Sequence, residues 1–195
     1  MGTGLFFGTF NPVHRGHEEM VTSFIASEWI DDVWIILTPS PPHKQLVELA
    51  PFTDRWNMLE LAFQDRQDVQ LSDVEFWIPS PHYTIRTLGY LNSSYPDRSF
   101  YLCMGGDTLQ TLHTWYEFEK ISHKTELIVA ERPGISLEKP SELGSFTVHY
   151  CEHNARDISS TEIRRTLMEG HFPDPDILNP AVLKYIRDKG LYPPV

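Results

Sequence analysis

Gly4-Leu5-Phe6-Phe7-Gly8-Thr9-Phe10-Asn11-Pro12-Val13-His14-Arg15-Gly16-His17 is the stretch from which the fold follows. Leu5-Phe6-Phe7 is a short apolar run of buried-strand type, and it stops at Gly8, where the chain can turn without a Cβ clash. A polar turn with Thr9 and Asn11 comes next, then Pro12, then two histidines three apart. From Glu18 to Trp29, Met20, Val21, Phe24, Ile25 and Trp29 recur at helical spacing. Strand, glycine turn and helix start together make an anion site, because the free N–H groups and dipole of the helix N-terminus face whatever sits there. If the helix begins near His14, His14 and His17 share a face, and their ring nitrogens can donate to phosphate oxygens. The His spacing alone also fits two surface histidines at a strand–helix junction, or a metal pair. Gly8, Pro12 and Gly16 around them favour the phosphate site.

The bulk numbers narrow the rest. A chain of 195 residues with 41% hydrophobic and 12% aromatic content can bury a sizeable core, and one domain spanning 1–195 is expected. Its C-terminal helical part begins at about residue 157. Sixteen Lys and Arg against 27 Asp and Glu leave a net charge of −11, which argues against nucleic-acid backbones as partners. A small anion can still bind where a few cations and a helix terminus gather. The apolar runs are too short to span a bilayer, and Met1-Gly2-Thr3 leads straight into the first strand. No signal peptide and a cytoplasmic location are therefore expected, with no membrane partner. Phe6 stands where an N-myristoylation pattern needs Ser or Thr. Cys103 and Cys151 lie far apart in apolar surroundings and read as two buried free thiols. A homo-oligomer is neither required nor excluded, since exposed apolar patches are invisible in sequence.

Apolar strands alternate with helices along the chain. Val33-Trp34-Ile35-Ile36-Leu37 is a buried strand after Asp31-Asp32, and it ends in the Pro-rich loop Thr38-Pro39-Ser40-Pro41-Pro42-His43-Lys44. Phe52 to Phe63 reads as a helix, with Thr53 or Asp54 as its cap. Val69 to Ile78 contains strand material, in Val69-Gln70-Leu71 and in Val74-Glu75-Phe76-Trp77. A helix over Tyr83 to Leu91, a strand over Ser99 to Met104 and a helix over Leu109 to Ile121, interrupted at Trp115-Tyr116, come next. Strands at Glu126 to Ala130 and Phe146 to Tyr150 precede closing helices at Ser159 to Met168 and Pro180 to Asp188, and Ile135 to Ser145 is a surface loop. This order predicts an α/β fold, a single Rossmann-like open, mostly parallel sheet with helices on both faces. Ligands in such sheets bind at the carboxyl ends of the strands, which collects Gly8–His17, Thr38–Lys44, Gly105–Asp107 and the loop before Ser159 on one rim.

Asp157-Ile158-Ser159-Ser160-Thr161-Glu162-Ile163-Arg164-Arg165 is the second signal. Ser159 or Ser160 can cap a helix, and Ser159 and Glu162 have capping-box spacing, so a well-capped helix start explains the pattern by itself. Its hydroxyls, its N–H groups and Arg164, one turn in, also suit a second phosphate cradle.

Gly8-Thr9-Phe10-Asn11-Pro12-Val13-His14-Arg15-Gly16-His17 resembles the G-x-F-x-P-x-H-x-G-H signature of the HxGH nucleotidyltransferase superfamily, and Ile158-Ser159-Ser160-Thr161 with Arg164 resembles its I-S-S-T-x-x-R motif. Within it, Tyr83-Thr84, Met104-Gly105-Gly106-Asp107, Thr114-Trp115-Tyr116-Glu117 and Leu127 to Gly134 look like bacterial nicotinate mononucleotide adenylyltransferases, as does the ending Tyr185 to Tyr192. The resemblance runs from residue 4 to residue 192. It implies catalytic roles for His14, His17 and Arg164, and ATP contacts from Gly8, Thr9, Phe10, Gly105, Asp107, Ile158, Ser159, Ser160 and Thr161. It implies that Lys44 faces substrate or leaving-group phosphates, that Trp115 stacks on the pyridine ring, and that Thr84 and the backbone near Tyr116 receive the nicotinate carboxylate. The implied substrates are ATP and nicotinate mononucleotide, with Mg²⁺ bridging ATP oxygens and no protein-held metal. Nicotinamide mononucleotide, another phosphate acceptor, or a non-catalytic nucleotide sensor are the alternatives. Asn11 stands where many members have Asp, and His82 where Ser often precedes the Tyr-Thr pair.

Overall fold

The strand over Leu5-Phe6-Phe7 lies in the middle of the sheet. In the computed structural model, which describes residues 2–40, 49–130, 138–152 and 158–194, β1 (Gly2–Gly8) pairs in parallel with β2 (Asp32–Leu37) and β4 (Ser99–Gly105). Gly8 registers with Leu37 on one side and Phe6 with Cys103 on the other. β3 (Val69–Ser72), β5 (Glu126–Ala130) and β6 (Val148–Cys151) complete, among the described residues, a six-stranded sheet in the order β3-β2-β1-β4-β5-β6. Every pairing is parallel. The chain first winds from β1 outward to β3 and then returns to the other side of β1, so the switch point lies between the carboxyl ends of β1 and β4.

The period of two along the strands separates two cores. Phe6, Val33, Ile35, Leu37 and Ile128 face helices α1 (Arg15–Ile25) and α2 (Phe52–Phe63) and the C-terminal pair α7 (Ser160–Met168) and α8 (Pro180–Lys189). Leu5, Trp34, Ile36, Leu102 and Val129 face α4 (Thr84–Ser94), α5 (Gly106–Thr111) and α6 (Phe118–Ile121). Each large apolar side chain buried there contributes about 1.5–3 kcal/mol. The predicted α/β sheet with helices on both faces is the one observed. Cys103 and Cys151 are buried free thiols, as expected. No helix among the described residues is long and apolar enough to cross a membrane.

Among the described residues the chain departs from expectation at Val74–Trp77, at the cap of α2 and at the start of the last strand, and α4 runs on to Ser94 instead of ending at Leu91. Val74–Trp77, expected as strand, is the single-turn helix α3. The cause is local: Ser72 Oγ accepts from the Val74 N–H at 3.3 Å, and Asp73 Oδ2 accepts from Trp77 Nε1 at 2.9 Å, curling the chain as β3 ends. Neither Thr53 nor Asp54 caps α2; Pro51 occupies that position, and Asp54 Oδ1 instead accepts from the Tyr185 hydroxyl at 2.8 Å. The last strand starts at Val148 rather than Phe146, whose side chain is buried in the core. The interruption expected at Trp115-Tyr116 is present: a short 3₁₀ turn over Leu112–Thr114 ends α5, and Glu117 takes a left-handed φ of 50° before α6.

Candidate active site

Phe10 explains the shape of the first turn. It adopts φ 44°, a left-handed conformation unusual for a bulky side chain, and its ring packs edge-on against Phe6 and His17 at 5.5 and 5.0 Å. A Cβ at Gly8 would lie 2.8 Å from that ring, so only glycine lets the turn close over it. The Asn11–Pro12 peptide is cis. His14 occupies the N-cap of α1 and His17 its third residue. Their imidazoles stack at 3.7 Å with 26° between planes, and the His14 N–H donates to His17 Nδ1 at 3.2 Å. A neutral His17 that accepts at Nδ1 carries its proton on Nε2, which is then a donor. Gly16 leaves room for the pair, since a Cβ there would lie 3.1 Å from His14 Nδ1. Arg15, the cation inside the motif, is engaged elsewhere: Nη1 donates to Glu18 Oε2 at 2.6 Å and Nε to the Pro175 carbonyl at 3.2 Å.

The second motif packs directly on this turn. Of the two serines that the sequence offers, Ser159 caps α7, by accepting from the Thr161 N–H at 3.2 Å. Ser160 Oγ donates to the Pro12 carbonyl at 2.9 Å, and Arg164 Nη1 to the Asn11 carbonyl at 2.9 Å. Buried Ile158 stands 3.5 Å from where a Gly16 Cβ would be. His14, His17, Ser160 and Arg164, separated by about three quarters of the chain, thus gather at one helix N-terminus facing another. Asp157 and the loop Pro41 to Lys44, including Lys44 itself, lie outside the described residues.

The acceptor side forms across the second core. Thr84 opens α4, with Tyr83 at its N-cap. The rings of Tyr83 and Tyr116 stack at 4.3 Å and 19°, holding the Trp115-Tyr116 turn beside the α4 N-terminus. Thr84 and Tyr116 therefore belong to one corner, while Trp115 is half-buried against the core. Gly105 and Gly106 lead from β4 into α5, where Asp107 is exposed on the first turn; a Cβ on Gly105 would lie 2.7 Å from Asp107 Oδ1. Among the described residues no cluster of three or more His, Cys, Asp or Glu side chains could hold a metal ion.

Asn11, noted in the sequence only as a turn residue and a replacement for Asp, organises the rim together with Tyr192 and Arg55, which the sequence did not single out. Asn11 Oδ1 accepts from the Tyr192 hydroxyl at 2.7 Å and from the Ala50 N–H at 3.0 Å. Burial and loss of solvent push the Tyr192 phenol well above its usual range, so it stays a donor. Arg55 on α2 is buried, and burial lowers its pKa from the ordinary guanidinium value. A sequence signal existed: Arg55 stands three and four residues before Met58 and Leu59, on the apolar stripe of its helix.

The family model for cytidylyltransferase-like proteins matches residues 5–166. A Bacteroides fragilis protein named "Probable nicotinate-nucleotide adenylyltransferase" is 38% identical over 187 residues, covering 94% of this chain and 90% of that one. The nicotinate-nucleotide adenylyltransferase of Bacillus subtilis is 30% identical over 189 residues, covering 97% of each. In fold, the chain matches Plasmodium falciparum nicotinic acid mononucleotide adenylyltransferase complexed with NaAD at a TM-score of 0.83, with 21% identity over 98% of this chain and 97% of that one. On the family model and these full-length relatives, the chain belongs to the cytidylyltransferase-like nucleotidyltransferases and, among them, to the nicotinate-nucleotide adenylyltransferases.

Proposed function

We propose that this enzyme transfers the adenylyl group of ATP to nicotinate mononucleotide, releasing nicotinate adenine dinucleotide and pyrophosphate. The observation that carries the reading is the docking of the second motif on the first, through Ser160 on Pro12 and Arg164 on Asn11. That contact creates a cradle of N–H groups, hydroxyls and cations suited to a polyphosphate. A phosphate oxygen of the mononucleotide attacks the α-phosphorus of ATP in line, the bond to the β-phosphate oxygen breaks, and pyrophosphate departs. No covalent enzyme intermediate is required, so the protein contributes position and charge neutralisation. His17 Nε2, His14 and Arg164 meet the charge that develops on the transferred and leaving groups. Phe10, Gly8, Thr9 and the start of α7 from Ile158 to Thr161 line the ATP phosphates, and Asp107 takes nucleotide hydroxyls. Mg²⁺ enters as part of the MgATP substrate, and the positive charge of Lys44 suits substrate or leaving-group phosphates.

The acceptor is assigned to the corner of Thr84, Trp115 and Tyr116. A hydroxyl and the N–H groups of a helix start suit a carboxylate, and an indole face suits a pyridine ring. A coupled assay for pyrophosphate release, run with nicotinate and nicotinamide mononucleotides side by side, tests the reading. Turnover with the acid far above the amide is expected. Equal rates would remove the carboxylate assignment, and no pyrophosphate with either would sink the enzyme reading.

A further inference from the structure

Arg55 is 1% exposed and hydrogen-bonds only to backbone carbonyls among the described residues. Nε donates to Ala50 at 3.0 Å, Nη1 to Thr9 at 2.9 Å and to Thr38 at 2.8 Å, and Nη2 to Pro39 at 2.8 Å. These acceptors come from three separate pieces of the rim: the turn after β1, the loop after β2, and Ala50 just before the Pro51 cap of α2. A buried cation is costly unless its donors are satisfied, and the fork of a guanidinium suits this spread of carbonyls where an ammonium does not. Ala50 is held on both sides, its carbonyl by Arg55 and its N–H by Asn11 Oδ1.

We propose that Arg55 is a positioning residue for the MgATP phosphates, acting through the Thr9–Phe10 peptide and the loop after β2; this rests on the adenylyl-transfer reading above. In a planar trans peptide the carbonyl and the next N–H point to opposite sides. Drawing the Thr9 carbonyl inward onto Arg55 therefore turns the Phe10 N–H outward, on the side away from the core. The Pro39 carbonyl is drawn inward in the same way, which turns the Ser40 N–H outward. A charged donor polarises each amide it binds, strengthening the N–H at its far end. Arg55 also fixes the separation of the two turns, because Nη1 alone bridges Thr9 and Thr38. The left-handed Phe10 is the strained residue that such a clamp would hold in place.

The test compares wild type with Arg55→Lys, Arg55→Met and Arg55→Ala, measuring KM for MgATP and for nicotinate mononucleotide, kcat, and binding of a non-transferable α,β-methylene ATP analogue by calorimetry. Arg55→Lys keeps the charge and most of the volume but cannot span the four carbonyls. The expected result is a KM for MgATP raised about tenfold or more, equivalent to ~1.4 kcal/mol, with the mononucleotide KM within about twofold. Analogue binding should weaken in parallel, and added guanidinium should partly restore it in Arg55→Ala while sodium or methylammonium does not. Unchanged MgATP parameters in a folded variant overturn the proposal. So does a loss of kcat with both KM values unchanged, or failure of every variant to fold, since each assigns Arg55 to the core alone. Wild type that binds the analogue but transfers nothing refutes the adenylyl-transfer reading instead, and is recognised before any variant is compared.

Discussion

His14 and His17 stack ring on ring at 3.7 Å, and the backbone N–H of the first holds Nδ1 of the second. The contact fixes the tautomer of a neutral His17, in which Nε2 is the donor. A donor placed where transition-state charge develops is worth about 10²–10³ in kcat. His17→Ala is expected to lower kcat by that order while changing either KM by less than about fivefold. His17→Gln, whose amide nitrogen reaches close to the Nε2 position, should recover part of the loss. Steady-state kinetics on both variants decides the point: near-normal turnover in the alanine variant removes His17 from the chemistry.

Gly16 offers a finer probe of the same pair. A methyl group there would stand 3.1 and 3.2 Å from His14 Nδ1 and Cε1, and 3.5 Å from the Cβ of Ile158. The helix itself should lose nothing, since alanine is favoured over glycine in helices, by up to about 1 kcal/mol in an interior and less in the first turn where Gly16 lies. Gly16→Ala should therefore displace the His14 ring, cutting kcat/KM at least tenfold with little loss of Tm. Thermal melts and kinetics measured together check this, and a variant that keeps full activity would show that the His14 ring has room to move.

Thr84 separates acceptor binding from ATP binding. Its place at the start of α4, beside the Tyr83–Tyr116 stack, gives it no share in the phosphate cradle. A hydrogen bond to a charged group contributes about 1.5–3 kcal/mol, so Thr84→Ala should raise KM for nicotinate mononucleotide by about 10–100-fold. KM for MgATP should not change, and discrimination against nicotinamide mononucleotide should shrink. Equal effects on both substrates would place Thr84 in the scaffold.

Much of this arrangement was legible in the sequence, because it rests on local signals. The run Leu5-Phe6-Phe7, the stop at Gly8 and the 3.6-residue spacing of Val21 and Phe24 are each decided within a few residues. The docking of Arg164 and Ser160 on the Asn11–Pro12 turn followed only from the rule that strand ends share a rim, together with two recognisable motifs. Arg55, Asn11 and Tyr192 were not legible in that way. Their partners include groups 46, 39 and 181 residues away and are mostly backbone groups, which carry no side-chain signature in a sequence. Val74–Trp77 failed for the opposite reason: two short-range side-chain bonds from Ser72 and Asp73 outweigh the strand propensity of Val, Phe and Trp.

Glu75 gives a prediction in stability instead of catalysis. It is buried in α3, and Thr87 Oγ1 donates to its Oε1 at 2.9 Å. Burial raises its pKa above the ordinary 4.5, against the smaller lowering effect of hydrogen bonds from Thr38 and Thr87. A carboxyl whose folded pKa is raised binds protons more tightly folded than unfolded, so stability falls as pH climbs from about 4.5 through the raised value. Above that window the charged form remains buried at full cost. Glu75→Gln keeps an oxygen for Thr87 and carries no charge. It should therefore raise Tm at pH 7, each kcal/mol appearing as about 2–4 °C in a chain of this size. The advantage should shrink as pH falls and vanish below about 4.5, where wild-type Glu75 is protonated in both states. Melting curves for both proteins across pH 4 to 8 read this directly; a Tm difference independent of pH would show that charge burial at Glu75 is not its cause.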